Sequence, residues 1–202
     1  MNINFLNFKT MKTIRLFAMA VLAVGMLASC DSDDDNPGEV LEEEFWTRFS
    51  VTFTNDNDAF DVVTVSVIDV DGEPGPLPAE EIITGTFTSG ATYSAEIVLF
   101  NDVEGEDVLN DDIIPEADEH FFTYAVAGGL DMTMQRDDND ILRSDGEKLG
   151  VETTWFPGNP GIGNLQIILR HEPTSVSDDG GFGSASGGSE DVNVTFEVLI
   201  VQ

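Results

Sequence analysis

The fold is indicated most directly by Val192-Asn193-Val194-Thr195-Phe196-Glu197-Val198-Leu199-Ile200-Val201, which stands next to the last residue of the chain. Every second residue from Val192 to Ile200 is apolar, and most of the residues between them are polar. Side chains of a strand point alternately to the two faces of a sheet, so this alternation is typical of a strand with one buried face. The stretch therefore predicts a β-strand that contributes a row of side chains to a core.

The same alternation begins at about Phe45, where Phe49, Val51 and Phe53 share one face of a predicted strand. Further strands are predicted over 60–68, 82–88, 92–100, 120–126, 132–135, 149–155 and 165–171. A hairpin turn is predicted at 89–91, between two of these strands. Roughly eight or nine short strands separated by Gly, Asp and Asn turns predict an all-β fold, an antiparallel two-layer β-sandwich of the Ig-like or a related type.

Three segments are predicted to be loops, and one of them is 155–161, which contains two prolines and two glycines. Residues 73–78 contain three prolines, which lack the backbone donor that a sheet needs. Residues 177–190 are rich in Gly, Ser and Asp and show no apolar periodicity, so we expect a mobile loop there. Apolar spacing typical of a helix is limited to a turn near 106–113.

The start of the chain has the layout of a secretory signal. Basic residues at Lys9, Lys12 and Arg15 are followed by the uncharged stretch 16–28, which is shorter than the roughly 20 apolar residues of a membrane span. We therefore expect residues 1–29 to be a cleaved signal peptide. Translation from Met1 and translation from Met11 both stay open, because the second would also give a complete signal.

The sole cysteine, Cys30, closes the sequence Leu27-Ala28-Ser29-Cys30. These residues resemble the lipobox of bacterial lipoproteins. The resemblance implies that Cys30 is lipidated, that residues 1–29 are removed, and that the lipid holds the protein on the outer membrane. Each buried methylene contributes about 0.8 kcal/mol, and more than one chain is needed for lasting attachment. An ordinary signal whose cleavage site includes a cysteine is the alternative.

An acidic segment follows this cysteine. Residues 30–44 open with Cys30-Asp31-Ser32-Asp33-Asp34-Asp35, which offers no apolar surface to bury and predicts a disordered, flexible tether. A single domain is then expected over 45–202. The acidic cluster resembles the export signal of Bacteroidota surface lipoproteins, which implies the extracellular face; a plain spacer on the periplasmic face is the alternative.

The charge of the chain limits its partners. The formal net charge is −31, and loss of residues 1–29 would leave five basic residues against all 39 acidic ones; the five are Arg48, Arg136, Arg143, Lys148 and Arg170. Binding of nucleic acid requires Lys and Arg to neutralise phosphates, so nucleic acid is excluded as a partner. Membrane contact is expected through the lipid anchor and not through a face of the protein.

Three further stretches carry a family resemblance: 118–122, 150–155 and 168–173. Together with the valine-rich end, they resemble a group of small flavobacterial lipoproteins, some of which bear the label of a type 1 periplasmic binding fold. That fold requires helices alternating with parallel strands, which this sequence does not predict. The resemblance implies a location in the cell envelope and no established activity.

The two histidines are candidate metal ligands, because each stands beside a glutamate in Glu119-His120 and His171-Glu172. Zinc and copper bind imidazole and carboxylate groups. His171 is in phase with the apolar residues of 165–169, so we expect it at the inner edge of a sheet, where His120 can meet it. In the alternative, each imidazole only bonds a backbone carbonyl or a neighbouring carboxylate; Met132 and Met134 are either copper ligands or plain core residues.

Calcium is the alternative cation. Asp69, Asp71 and Glu73 resemble the opening of an Asp-rich calcium loop, in which alternate carboxylates surround the ion. Hairpin turns use the same residues without an ion, and this interpretation stays open.

Motifs for catalysis are missing from the sequence. It contains no Gly-x-Ser-x-Gly motif, and its only cysteine is the expected lipidation site. We therefore predict that the protein is not an enzyme but a non-catalytic binding or structural module of the envelope, with an unknown protein or glycan partner. Trp46 and Trp155 are candidates for glycan contact or for core packing. A metal-handling envelope protein is the alternative.

Overall fold

The computed structural model describes residues 44–72 and 75–202. The predicted signal peptide, the lipidation site Cys30, the tether up to residue 43 and the candidate calcium ligand Glu73 lie outside the described residues. Within the described part of the chain, none of the helical structure is long and apolar enough to cross a membrane.

The protein is an all-β, two-layer antiparallel sandwich, as the alternation predicts. Its strands are β1 (Arg48–Asn55), β2 (Asp58–Ile68), β3 (Glu80–Thr84), β4 (Phe87–Thr88), β5 (Tyr93–Phe100), β6 (His120–Ala127), β7 (Met132–Arg136), β8 (Thr153–Pro157), β9 (Gly161–His171), β10 (Ser175–Ser177), β11 (Ser184–Ser186) and β12 (Ser189–Val201). One turn of π-type helix at Leu109–Ile113 joins β5 to β6.

The strands form two main sheets. One sheet has the order β3-β2-β1-β5-β8-β7, and the other has the order β4-β12-β9-β6. Neighbouring strands are antiparallel except for the short pair of β4 with β12, which is parallel. A separate hairpin of β10 and β11 connects β9 to β12.

The inner faces of the two sheets make one hydrophobic core. The predicted rows are confirmed, since Phe49, Val51 and Phe53 of β1 are buried, as are Val192, Phe196, Val198 and Ile200 of β12. Val194 in the same row is partly buried and packs against this core. The largest fully buried side chains are Trp155, Tyr93, Phe49, Phe53, Phe87, Phe121, Phe122 and Phe196. Both sheets therefore contribute aromatic rings to the space between them.

The hairpin predicted at 89–91 is wrong. The predicted strand 82–88 is divided at Gly85, so that β3 pairs with β2 in one sheet and β4 pairs with β12 in the other. Gly85 has a φ of +81°, and a Cβ there would lie 2.2 Å from the carbonyl oxygen of Val62. The chain crosses between the layers at this glycine, and two residues later Phe87 is fully buried in the second sheet.

The loop predicted over 155–161 is wrong in part, because the strand predicted over 149–155 lies instead at Thr153–Pro157. The loop predicted over 177–190 is also wrong in part, because the segment contains β11 and the adjoining ends of β10 and β12. β10 and β11 pair through Ser175–Ser186 and Ser177–Ser184. The connection between them packs on the domain, since the backbone N–H of Tyr124 donates to the carbonyl of Phe182 at 2.9 Å. Partial burial of Phe182 against the core anchors a segment that has no apolar periodicity.

Candidate metal centre

Two neighbouring strands of the four-stranded sheet place the two histidines side by side. His120 begins β6, His171 ends β9, and the two residues are direct partners in the antiparallel register. Their rings are stacked, with centroids 4.7 Å apart and planes inclined by 22°. His120 is fully buried and His171 is 5% exposed, so both imidazoles lie at the inner edge of the sheet, as the phase of β9 predicts.

Asp191 of β12 faces both imidazoles. Its Oδ1 lies 3.6 Å from His171 Nδ1, and its Oδ2 lies 3.7 Å from His120 Nε2. The register of β12 against β9 slips between Glu190 and Val192, which leaves Asp191 as an extra residue in a bulge. A bulge redirects a side chain at the end of a strand, and here it buries the Asp191 carboxylate completely.

Glu44 brings a second carboxylate from the segment that precedes β1. Its Oε1 lies 3.7 Å from His120 Nε2, and its side chain is 18% exposed. One candidate ligand atom from each of Glu44, His120 and His171 lies within 4.8 Å of the others. The indole N–H of Trp46 donates to the backbone carbonyl of Asp191 at 2.7 Å and so holds this segment beside the histidines.

The polar atoms that face one another at this site lack hydrogen bonds. His120 Nε2, His171 Nδ1 and both carboxylate oxygens of Asp191 are buried and have no partner among the described residues. His120 Nδ1 lies 3.1 Å from the carbonyl oxygen of Glu116, which can only accept. In the neutral ring the proton is therefore on Nδ1, and the Nε2 lone pair points at two carboxylates. Burial of such groups is unfavourable unless a proton or a metal ion lies among them.

The spacing of these atoms suits a bound metal ion. The contacts of 3.6–3.7 Å are longer than ordinary hydrogen bonds, which span about 2.7–3.2 Å. Ligand atoms about 2.0–2.2 Å from a tetrahedral zinc ion lie about 3.4 Å apart, which is close to these three distances. The atoms that all lie within 4.8 Å of one another belong to Glu44, His120 and His171, and Asp191 faces the two imidazoles through different oxygens. The bond from His120 to the Glu116 carbonyl is the kind of outer contact that orients a metal-binding imidazole.

The ion-free site binds protons. Burial raises the pKa of Asp191 to about 6, although the two imidazoles oppose this shift. Burial alone lowers the pKa of His120, but Glu44, the Glu116 carbonyl and Asp191 outweigh it and leave that pKa raised. Because folding favours the protonated form of both groups, the ion-free protein loses stability as the pH rises: for Asp191 from about 4 up to about 6, and for His120 above 6.5. A metal ion must displace these protons when it binds.

The ligands proposed from sequence are only partly brought together. His120 and His171 meet. Glu119 and Glu172 are exposed, and they form a second group with His171 in which the three ligand atoms lie within 4.8 Å of one another. Met132 is a buried core residue of β7, and so is Met134.

The described part of the predicted calcium loop forms a turn. Asp69 Oδ1 accepts the backbone N–H of Asp71 at 3.4 Å, and Asp71 Oδ2 accepts that of Leu77 at 3.1 Å. Backbone amides thus occupy one oxygen of each carboxylate, as in a turn, whereas Asp71 Oδ1 is buried without a hydrogen-bond partner among the described residues.

A cleft of about 580 Å³ lies against the site and includes Glu44 and Asp191 in its lining. Asp69, Glu81 and Glu190 also line it, together with the ring of Trp46. The carboxylates give the cleft a negative potential, which raises the local concentration of cations. An ion would approach the histidines from this side.

Comparison with known proteins gives no match, since no family model, no curated protein and no solved structure matches this chain. Sequence reasoning found the histidines but missed Asp191 and Glu44. Asp191 interrupts the alternation of β12 only through a bulge, and Glu44 precedes the first strand, so neither has a periodic signal.

Proposed function

We propose that this chain is a non-catalytic cell-envelope lipoprotein, of the Bacteroidota type, whose sandwich binds one divalent transition-metal ion. The ligands are His120, His171, Asp191 and Glu44. The proposal is carried by one observation: buried imidazole and carboxylate atoms face one another at ligand-like distances and lack other partners among the described residues.

Zinc is the ion that this set of ligands favours. Two imidazoles with two carboxylates match the nitrogen and oxygen donors of zinc sites, whereas calcium prefers oxygen alone. Four protein ligands would close a tetrahedral site, and closed sites are typical of structural zinc, in contrast to catalytic sites that keep an open position. The ion would join β6, β9, β12 and the segment before β1.

Zinc titration of chelator-treated protein at pH 7.5 is expected to show one ion bound per chain. The double change His120→Ala with His171→Ala should weaken binding by about 100-fold or more, because both nitrogen ligands are lost. Isothermal calorimetry measures this loss of affinity. In the unchanged protein, zinc at about 100 times its Kd should also raise the free energy of unfolding by about 2.7 kcal/mol. Binding at pH 5.5 should be weaker, since protons then compete for His120 and Asp191.

The matched control is Glu119→Gln with Glu172→Gln, which removes the exposed carboxylates next to the same histidines. This variant should bind zinc like the unchanged protein. Equal affinity in the double-histidine variant, or loss of binding in the control, would contradict the proposed ligands.

The location in the envelope has its own support in the sequence Leu27-Ala28-Ser29-Cys30 and the acidic residues after it. Cys30→Ala should prevent lipidation, so the protein should leave the outer-membrane fraction and its N-terminal peptide should lack acyl mass. Fractionation followed by mass spectrometry tests this, with Ser32→Ala as the control. An unchanged distribution of the Cys30→Ala protein would refute the lipid anchor.

A further inference from the structure

We infer that the metal ion is a clasp that fastens the segment leading into β1 to the end of β12, so that release of the ion undocks this segment. The segment, called the entry segment here, comprises Glu44, Phe45 and Trp46. The inference rests on the proposed metal site and adds a regulatory role for Glu44, the ligand that does not belong to a sheet.

The Trp46 ring packs against the core and the Phe45 ring lies against Gly72, so these two residues of the entry segment are held by packing and not by sheet pairing, whereas the Glu44 side chain has its contact at the site. The indole N–H of Trp46 donates to the Asp191 carbonyl at 2.7 Å, and its ring meets that of Phe49 edge-on at a centroid distance of 6.5 Å. Phe45 is 43% exposed. Regular pairing begins only at Thr47, whose backbone N–H donates to the carbonyl of Phe100 at 3.0 Å. The position of Glu44 therefore depends on what lies between its carboxylate and His120.

The surroundings of Glu44 are strongly anionic. Burial raises the pKa of Asp112, and the charges of Glu44 and Asp111 raise it further. Repulsion from Asp112 is the main cause of the raised pKa of Glu106, to which Glu44 also contributes. Within the described residues, the salt-bridge partner of Glu44 is His120, and neither lysine nor arginine pairs with it. Without a metal ion, Asp191 and Asp112 therefore repel Glu44, and the attraction that opposes this repulsion comes from His120 when its imidazole is protonated.

A divalent ion reverses this balance. Its charge would turn the repulsion between Glu44 and Asp191 into attraction of both to a common centre, in a site where burial weakens screening. The other ligands are held in β6, β9 and the bulge of β12, so Glu44 is the ligand most free to leave. The predicted tether 30–44 runs directly into this segment. Each undocked residue would lengthen the tether by at most about 3.6 Å.

The test is hydrogen–deuterium exchange of the full-length protein with and without zinc, with calorimetry on the same samples. In the unchanged protein, zinc should slow exchange of the amides of residues 45–47 by about tenfold or more. Glu44→Gln should still bind zinc through His120, His171 and Asp191, more weakly, but should lose most of this protection. Glu104→Gln removes an exposed carboxylate of the same region and should behave like the unchanged protein.

The outcomes separate the clasp from the metal site. Zinc binding without slower exchange at 45–47, or equal protection in the Glu44→Gln protein at saturating zinc, would overturn the clasp and leave the site intact. Absence of zinc binding in calorimetry would overturn the site and the clasp together. Protection lost in both Glu44→Gln and Glu104→Gln would show a general charge effect and would also contradict the specific role of Glu44.

Discussion

Asp140→Ala is expected to lower the free energy of unfolding by about 3–5 kcal/mol, because hydrogen bonds to a charged group contribute about 1.5–3 kcal/mol each and several are lost together. Asp140 is 7% exposed, and its carboxylate accepts the backbone N–H groups of Gly150 at 2.7 Å, Val151 at 3.0 Å and Glu152 at 3.0 Å. Alanine leaves these buried donors without an acceptor. The loop that leads into β8 would therefore lose three of the hydrogen bonds that hold it.

Urea unfolding followed by circular dichroism measures this change, and the thermal midpoint should fall by about 10 °C. Asp138→Ala is the matched control, because this exposed carboxylate makes only a surface ion pair with Lys148 at 3.4 Å. The control should change stability by less than about 1 kcal/mol. Equal stability losses in the two variants would show that the amide contacts of Asp140 are not what stabilises the loop.

Trp155→Ala should also destabilise the fold by about 3–5 kcal/mol, as expected for loss of a buried tryptophan. Trp155 is fully buried on β8, and its ring meets those of Phe53 and Tyr124 edge-on, each at a centroid distance of 5.4 Å. Its indole N–H donates to Thr153 Oγ1 at 3.0 Å. The ring thus links both sheets, and its burial fits the core-packing interpretation of this tryptophan over glycan contact.

Phe60→Ala provides the control for loss of an aromatic ring, because Phe60 is 97% exposed in the turn region of β2. It should change stability by no more than about 0.5 kcal/mol. Scanning calorimetry on both variants compares the two positions directly. A Trp155→Ala protein as stable as the Phe60→Ala protein would mean that the core repacks around the missing ring, contrary to the close packing found here.

Strands that alternate strictly were predicted well, and the physical reason is local. In β1, β9 and the C-terminal part of β12, each side chain points to the face opposite its neighbour, so burial can be inferred from the order of residues alone. The phase of β9 also predicted that His171 faces inward. The errors at β4 and over 177–190 have a different origin, since Phe87 and Phe182 are placed by partners that are distant in sequence.

At the candidate site, too, local patterns were predicted and contacts between distant residues were not. The histidine pair was predicted from two local patterns, but the carboxylates beside it were assigned to the sequence neighbours Glu119 and Glu172. Those neighbours are exposed, because they lie just outside the ends of β6 and β9 and not within the strands. The carboxylates that face the histidines are those of Asp191, which the bulge in β12 turns toward the site, and of Glu44, which the segment before β1 brings there.

The sequence by itself determined the all-β class, the inward rows of the main strands and the inward orientation of His171, because alternation is a property of neighbouring residues. Only the tertiary structure decided which strands are adjacent, where the chain changes sheets at Gly85, and which carboxylates meet the histidines. These features depend on contacts between residues far apart in sequence, such as the Trp46 indole on the Asp191 carbonyl, and the order of residues carries no periodic signal for them.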